Sequence, residues 1–154
     1  MVISGGKWVI DMFTGEFHHN IDAKGRLILP SKFRDELQET VMITIGLDGC
    51  LKVYTMASWQ KIYEKLMTLP TTSRDARIYV RMVIGKACEY TFDSQGRILI
   101  PANLIKEASI TKETVVVGVG DCLEIWSADR WNATLEEGIE NFEAIAERLS
   151  SFGI

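Results

Sequence analysis

Asp-x-x-Gly-Arg occurs twice in this chain, as Asp22 to Arg26 and as Asp93 to Arg97. Aspartate and glycine at that spacing are turn chemistry: the carboxylate accepts turn amides and the glycine supplies positive φ. The arginine is needed for neither purpose. Held beside a tight turn, its guanidinium presents a planar fork of donors that matches phosphate oxygens and the O6/N7 edge of guanine. An ion pair with the aspartate four residues earlier is compatible with that role, because the carboxylate can orient the arginine while other guanidinium nitrogens stay free. Lys24 stands at the first tip and neutral Gln95 at the second, so the two copies are not equivalent readers. Lys32 and Arg34 add charge after the first motif, where the second offers only Lys106.

These motifs lie in a longer internal repeat. Ile21 to Phe33 (IDAKGRLILPSKF) aligns with Phe92 to Leu104 (FDSQGRILIPANL) at a shift of 71, and Thr44 to Tyr54 aligns with Val116 to Trp126 at a shift of 72. Trp59 matches Trp131 at that second shift. Each copy reads as ββαββ. A three-residue hairpin loop joins the strands His18 to Ile21 and Arg26 to Leu29, and the strands Glu89 to Phe92 and Arg97 to Ile100. Pro30 and Pro101 open short helices, Ser31 to Gln38 and Ala102 to Ala108. Two further strands follow in each copy: Val41 to Ile45 and Leu51 to Tyr54, then Thr114 to Val117 and Leu123 to Trp126. Between the copies, Trp59, Ile62, Tyr63 and Leu66 make one helical stripe ended by Pro70, and Thr72 or Ser73 caps a second helix running to about Gly85. Its Ile78, Met82 and Val83 imply a buried face. Ser127 caps a final helix carrying Trp131, Leu135, Ile139, Phe142, Ala146 and Leu149, weakened at Gly138.

Length and composition set the class. At 154 residues, 47% hydrophobic and 25% charged, the chain is one ordinary globular domain's worth of material. Its net charge of -4 argues against a polyanionic partner only when averaged over the whole chain. Residues 1–106 carry 14 Lys/Arg against 11 Asp/Glu, a net +3, and residues 107–154 carry 3 against 10, a net -7. The basic part holds both arginine motifs. Three cysteines without a C-x-x-C pair give neither a disulfide framework nor a zinc ribbon, which fits a reducing cytosolic setting. No apolar run approaches a membrane span. Residues 1–11 do not read as a secretory signal but as an extension ahead of Met12.

Other signals point to structure. His18 and His19 are neighbours on a strand and face opposite sides, poor geometry for one metal. Cys50 and Cys122 occupy equivalent repeat positions, as core fillers do. Gly118-x-Gly120 precedes a strand and reads as a turn. Trp59, Trp126 and Trp131 fit core or subunit contacts. Arg74, Arg77 and Arg81 share one helix face, read either as a solvated face pairing with residues such as Asp75 or as a phosphate or subunit contact. No P-loop, G-x-S-x-G or H-E-x-x-H motif supports catalysis.

The doubled D-x-x-x-R, the M-F-x-G string at Met12 to Gly15, the D-x-K-G-R-x-x-x-P-x-x-x-R string from Asp22 to Arg34, and C-L-E-I-W at Cys122 to Trp126 resemble the MraZ family. The likeness runs from Met12 to the C-terminus. It implies a relation to the AbrB/MazE/SpoVT-like swapped-hairpin superfamily and an α+β fold of two tandem β-hairpin/helix repeats forming a pseudo-two-fold AbrB-like double-split barrel, with helices between and after the repeats. On that parsing, 1–11 is the extension, 12–59 the first repeat, 60–86 the connecting helices, 87–131 the second repeat and 132–154 the C-terminal helix. The resemblance further implies a cytoplasmic, nucleoid-associated regulator of the bacterial division and cell-wall gene cluster. It would bind repeated sites in double-stranded DNA upstream of its own operon as a ring-shaped homo-oligomer, with no membrane partner, small-molecule substrate, cofactor or metal. Carried over by position, Arg26 and Arg97 are the DNA-contacting arginines, Lys24 and Arg34 their helpers, and Asp22, Gly25, Asp93 and Gly96 support the motif. A competing reading is an antitoxin-like module that sequesters a protein through its acidic C-terminal helix.

Overall fold

The computed structural model describes residues 2–4, 7–9 and 12–154, with side chains from residue 12 onward. In the extension, β1 (Val2–Ser4) and β2 (Lys7–Val9) pair antiparallel, and the rest of 1–11 lies outside the described residues. The first repeat supplies β3 (Phe13–Asn20), β4 (Arg26–Ile28), α1 (Ser31–Leu37), β5 (Thr40–Ile45) and β6 (Leu51–Thr55). Helices α2 (Met56–Met67) and α3 (Arg74–Val83) follow. The second repeat supplies β7 (Cys88–Thr91), β8 (Arg97–Leu99), α4 (Ala102–Glu107), β9 (Glu113–Gly120) and β10 (Cys122–Ser127), and α5 (Ala128–Arg148) ends the fold.

The repeats exchange strands. One antiparallel sheet runs β3-β9-β10-β6-β5-β7, so the first strand of each repeat pairs with the third strand of the other. The second strands, β4 and β8, pair only with each other, as a separate two-stranded ribbon. A pseudo-two-fold axis passes between β6 and β10 and through the ribbon: Leu27 pairs with Ile98 and Lys52 with Glu124, and each pair joins a residue to its own repeat equivalent. The turns after Asp22 and Asp93 therefore do not join paired arms, contrary to the closed hairpins read from turn chemistry and in keeping with the swapped hairpins that the family resemblance implies. Only the tip closes, through Asp22 N to Arg26 O at 3.0 Å and Asp93 N to Arg97 O at 3.1 Å, and beyond it the two arms find partners in the opposite repeat.

Register also corrects the downstream alignment. Val41 pairs with Thr55 and Thr114 with Ser127, so β5 corresponds to β9 at a shift of 73 while β6 corresponds to β10 at 72. The turn Leu47–Gly49 makes the first repeat's β-turn-β one residue longer, which accounts for the difference.

Burial follows the repeat. Leu27 and Ile98 point inward from the ribbon onto Phe33 of α1, Leu104 of α4 and the sheet residues Ile43, Val53, Leu123 and Ile125, all fully buried. Phe33 takes edge contacts from Phe13 and Phe17 on β3, with ring centroids 6.0 and 4.9 Å apart. Cys50 and Cys122 are buried, and desolvation pushes each thiol up to about 12, so both are inert packing groups. The helix caps form as expected: Ser73 accepts from Ala76 N and Ser127 from Arg130 N, both at 3.2 Å.

Helix α3 departs from expectation. None of its residues is buried, Ile78 is 43% exposed, and Met82 and Val83 are half-buried. It lies against the C-terminal end of β5, beyond that strand's pairing with β7, where Thr44 Oγ1 donates to Val83 O at 2.6 Å, and its amphipathic pattern reflects one-sided packing at the rim. From Leu135 onward α5 leaves the body, so Ile139 and Phe142 are each 70% exposed. Gly138 lies in that helix with open space where a Cβ would go. Gly138→Ala is expected to stabilise α5 by about 0.5–1 kcal/mol, read as a rise in helical signal and thermal midpoint.

Candidate nucleic-acid interface

The two tips have one architecture. Asp22 Oδ1 accepts from Lys24 N at 2.9 Å and Arg26 N at 2.8 Å, and its Oδ2 accepts from Arg26 Nε at 2.6 Å. Asp93 Oδ1 accepts from Gln95 N and Arg97 N at 2.9 Å each, and its Oδ2 from Arg97 Nε at 2.8 Å. Gly25 and Gly96 close the turns at φ +84° and +75°, a region that only glycine enters without strain. One carboxylate thus fastens both the turn and the arginine beside it.

Which nitrogen is used decides what remains. In both pairs the bond goes through Nε, and among the described residues neither arginine spends an Nη nitrogen on the protein. The two terminal nitrogens of each fork stay available while Nε is clamped, which is the arrangement for bidentate recognition of a guanine edge or a phosphate. The tips are partly solvated, with Arg26 33% and Arg97 22% exposed in their side chains.

The ribbon places both arginines on one face. Leu27 and Ile98 point inward, so by strand alternation Arg26, Ile28, Arg97 and Leu99 point outward. Arg26 stands opposite Leu99 and Arg97 opposite Ile28. The arginine Cα positions are therefore one two-residue step apart along the ribbon, about 7 Å. Sequence reasoning missed Ile28 and Leu99, although alternation around Leu27 and Ile98 carried the signal.

The other nominated residues are distributed unevenly. Lys24 is exposed at the first tip. Arg34 is half-buried: its Nε donates to Leu29 O at 2.9 Å, and its guanidinium crosses the backbone of the second turn, where a Cβ on Gly96 would collide with it. Ile105, its equivalent at the shift of 71, covers Gly25 in the same way. Arg34 is therefore a packing element of the opposite tip as well as a cation beside it. Lys32 Nζ reaches Thr14 O and Oγ1 at 3.2 and 3.3 Å. Arg77 donates to Thr71 O at 3.0 Å, and among the described residues Arg74, Arg77 and Arg81 form no ion pair, Asp75 included. His18 meets Glu16 at 2.7 Å. Among the described residues no helix is long and apolar enough to cross a membrane.

Electrostatics favour the clamped state. The Arg26 backbone amide, then its guanidinium and the Lys24 amide, hold Asp22 below the usual aspartate range, and the Arg97 and Gln95 groups do the same for Asp93. A depressed native pKa contributes stability that is complete above the ordinary aspartate value and is lost as pH falls through the lowered one. The gap in urea midpoint between the wild type and Asp22→Asn/Asp93→Asn is accordingly expected to stay constant down to about pH 5 and to close only below about pH 4.

Two strand-exchanged repeats, with paired arginine tips on a ribbon across a pseudo-two-fold, define an AbrB-like double-split barrel. A family profile described as "MraZ protein, putative antitoxin-like" matches residues 12–82 and again 83–152. A curated protein of Pediococcus pentosaceus, "Transcriptional regulator MraZ", is 50% identical over 143 residues, covering 93% of this chain and all of that relative. The chain belongs to the MraZ family.

Proposed function

We propose that this chain, a transcriptional regulator by family, acts by sequence-specific binding to double-stranded DNA through the β4–β8 ribbon. The observation that carries this is the pair of arginines on one ribbon face, each clamped at Nε with both Nη nitrogens free of partners among the described residues. A two-stranded ribbon fits the major groove, and a bidentate arginine reads guanine there. Lys24 and Arg34 assist at the phosphates. The targets in this reading are repeated short sites upstream of its own operon, in the division and cell-wall cluster, reached in the cytoplasm at the nucleoid.

Multiple protomers are part of the proposal. One protomer offers few cations, so its own binding is weak at physiological salt. A ring of copies makes later contacts intramolecular, and sites about one helical turn apart present the same duplex face to each. Surfaces suited to such contacts are present: the exposed Ile139 and Phe142 of acidic α5, and a cavity of about 410 Å³ between α2 and α3 lined by Leu66, Ile78, Tyr79 and Met82. Arg74 and Arg81 on α3 complement the glutamates of α5 in charge.

The test is a mobility shift with DNA from upstream of the gene, titrated with salt. Affinity is expected to fall steeply with salt, and a log–log slope near zero would remove the phosphate contribution. The antitoxin-like alternative draws on the same exposed α5 face, and a stable complex with a small neighbouring gene product, formed without DNA binding, would favour it.

A further inference from the structure

We infer that Ile28 and Leu99 read thymine methyl groups, so that each half of the ribbon recognises a guanine together with a neighbouring thymine. This rests on the DNA-binding reading above and assigns specificity within the same face. Ile28 is 39% and Leu99 37% exposed on a ribbon whose other face is fully buried, so their outward placement fills no core. They are repeat-related neighbours of the two arginines: Leu99 stands across the ladder from Arg26, and Ile28 across from Arg97. Each reading unit therefore combines an arginine of one repeat with an aliphatic of the other. Opposed residues in an antiparallel pair have Cα atoms about 5 Å apart, one to two base-pair steps on a duplex. An aliphatic side chain held at that distance from a guanine-reading fork meets the next position in the major groove, where the C5-methyl of thymine is the apolar feature available.

Uridine tests this directly, because deoxyuridine lacks only that methyl. Guanine-N7 methylation interference on the upstream duplex locates the arginine contacts. Duplexes are then made with thymidine or deoxyuridine at the flanking positions, and their affinities compared for the wild type and Ile28→Ala/Leu99→Ala. Wild-type affinity is expected to fall about fourfold for each contacted methyl removed. The double variant is expected to bind thymidine DNA as weakly as the wild type binds uridine DNA, with little further loss on uridine. Equal wild-type affinity for the two duplexes, with specific binding intact, overturns the methyl contact alone. So does an equal uridine loss in the double variant, which assigns the effect to duplex mechanics, or a breakdown of the oligomer by the double variant, which assigns these side chains to a neighbouring copy. No specific binding of the thymidine duplex overturns the DNA-binding reading as well.

Discussion

Replacing Arg26 and Arg97 together by alanine is expected to lower affinity for the upstream site about a thousandfold while lowering the urea midpoint only slightly and leaving the size of the assembly unchanged. Each bidentate arginine–guanine contact is worth about 1–3 kcal/mol of discrimination, so two at the middle of that range amount to about three decades. The fold tolerates the loss because the turn does not depend on the guanidinium. With alanine present, Asp22 Oδ1 still accepts the amides of residues 24 and 26, Gly25 still closes the turn, and Oδ2 faces water. The lysine variants separate charge from geometry. Arg26→Lys keeps one positive charge but loses the planar fork and its Nε clamp. It is expected to retain the salt dependence of binding while losing preference for the upstream site over unrelated DNA. Retained specific binding by the double alanine variant would sink the proposed interface.

Both tips were legible in the sequence because their determinants are local. Aspartate, glycine and arginine fall within five residues, and carboxylate, positive φ and ion pair follow from spacing alone. The partners of the arms were not legible in the tips themselves, and only the family resemblance implied a swap. Tip chemistry sets where the chain reverses and is silent on which strand each arm then meets, so a closed hairpin and an exchanged one share the same local signal. The choice lies in non-local complementarity: Leu27 against Ile98 at the axis, Phe17 against Phe33, and β3 along β9 for its full length. A second role of Arg34 went unread for a related reason. Its charge suggested a phosphate contact, and position 34 and its repeat equivalent 105 also share the task of covering a glycine in the opposite tip. The signal was an arginine aligned with an isoleucine, which marks a site where side-chain length and apolar stem matter as well as charge. Pattern also overstated burial in α3, since an amphipathic helix at the rim of a sheet has the same periodicity as one inside it.

The β3–β9 part of the strand exchange includes one close backbone approach, and breaking it is the second large effect. Gly118 lies opposite Gly15 in the β3–β9 ladder, and a Cβ added at Gly118 would stand 2.4 Å from Thr14 N and 2.5 Å from Phe13 C. These are backbone atoms of β3 and cannot rotate aside, so Gly118→Val forces β3 away from β9. Phe13, fully buried, and Phe17 then lose their contacts with Phe33. Since removing a single buried aromatic costs about 3–5 kcal/mol, the variant is expected to lose at least about 3 kcal/mol and to unfold at much lower urea. Gly120 is the control on the same strand, with φ +98° and open space around it. Gly120→Ala adds only the left-handed penalty of about 1–2 kcal/mol and leaves β3 docked. Because β3 leads through Asp22 into the first tip, a partly folded Gly118→Val is expected to lose DNA affinity even at temperatures where the β5–β6 and β9–β10 ladders persist. A Gly118→Val protein with wild-type urea midpoint would show that β3 does not need this approach to hold the first tip in place.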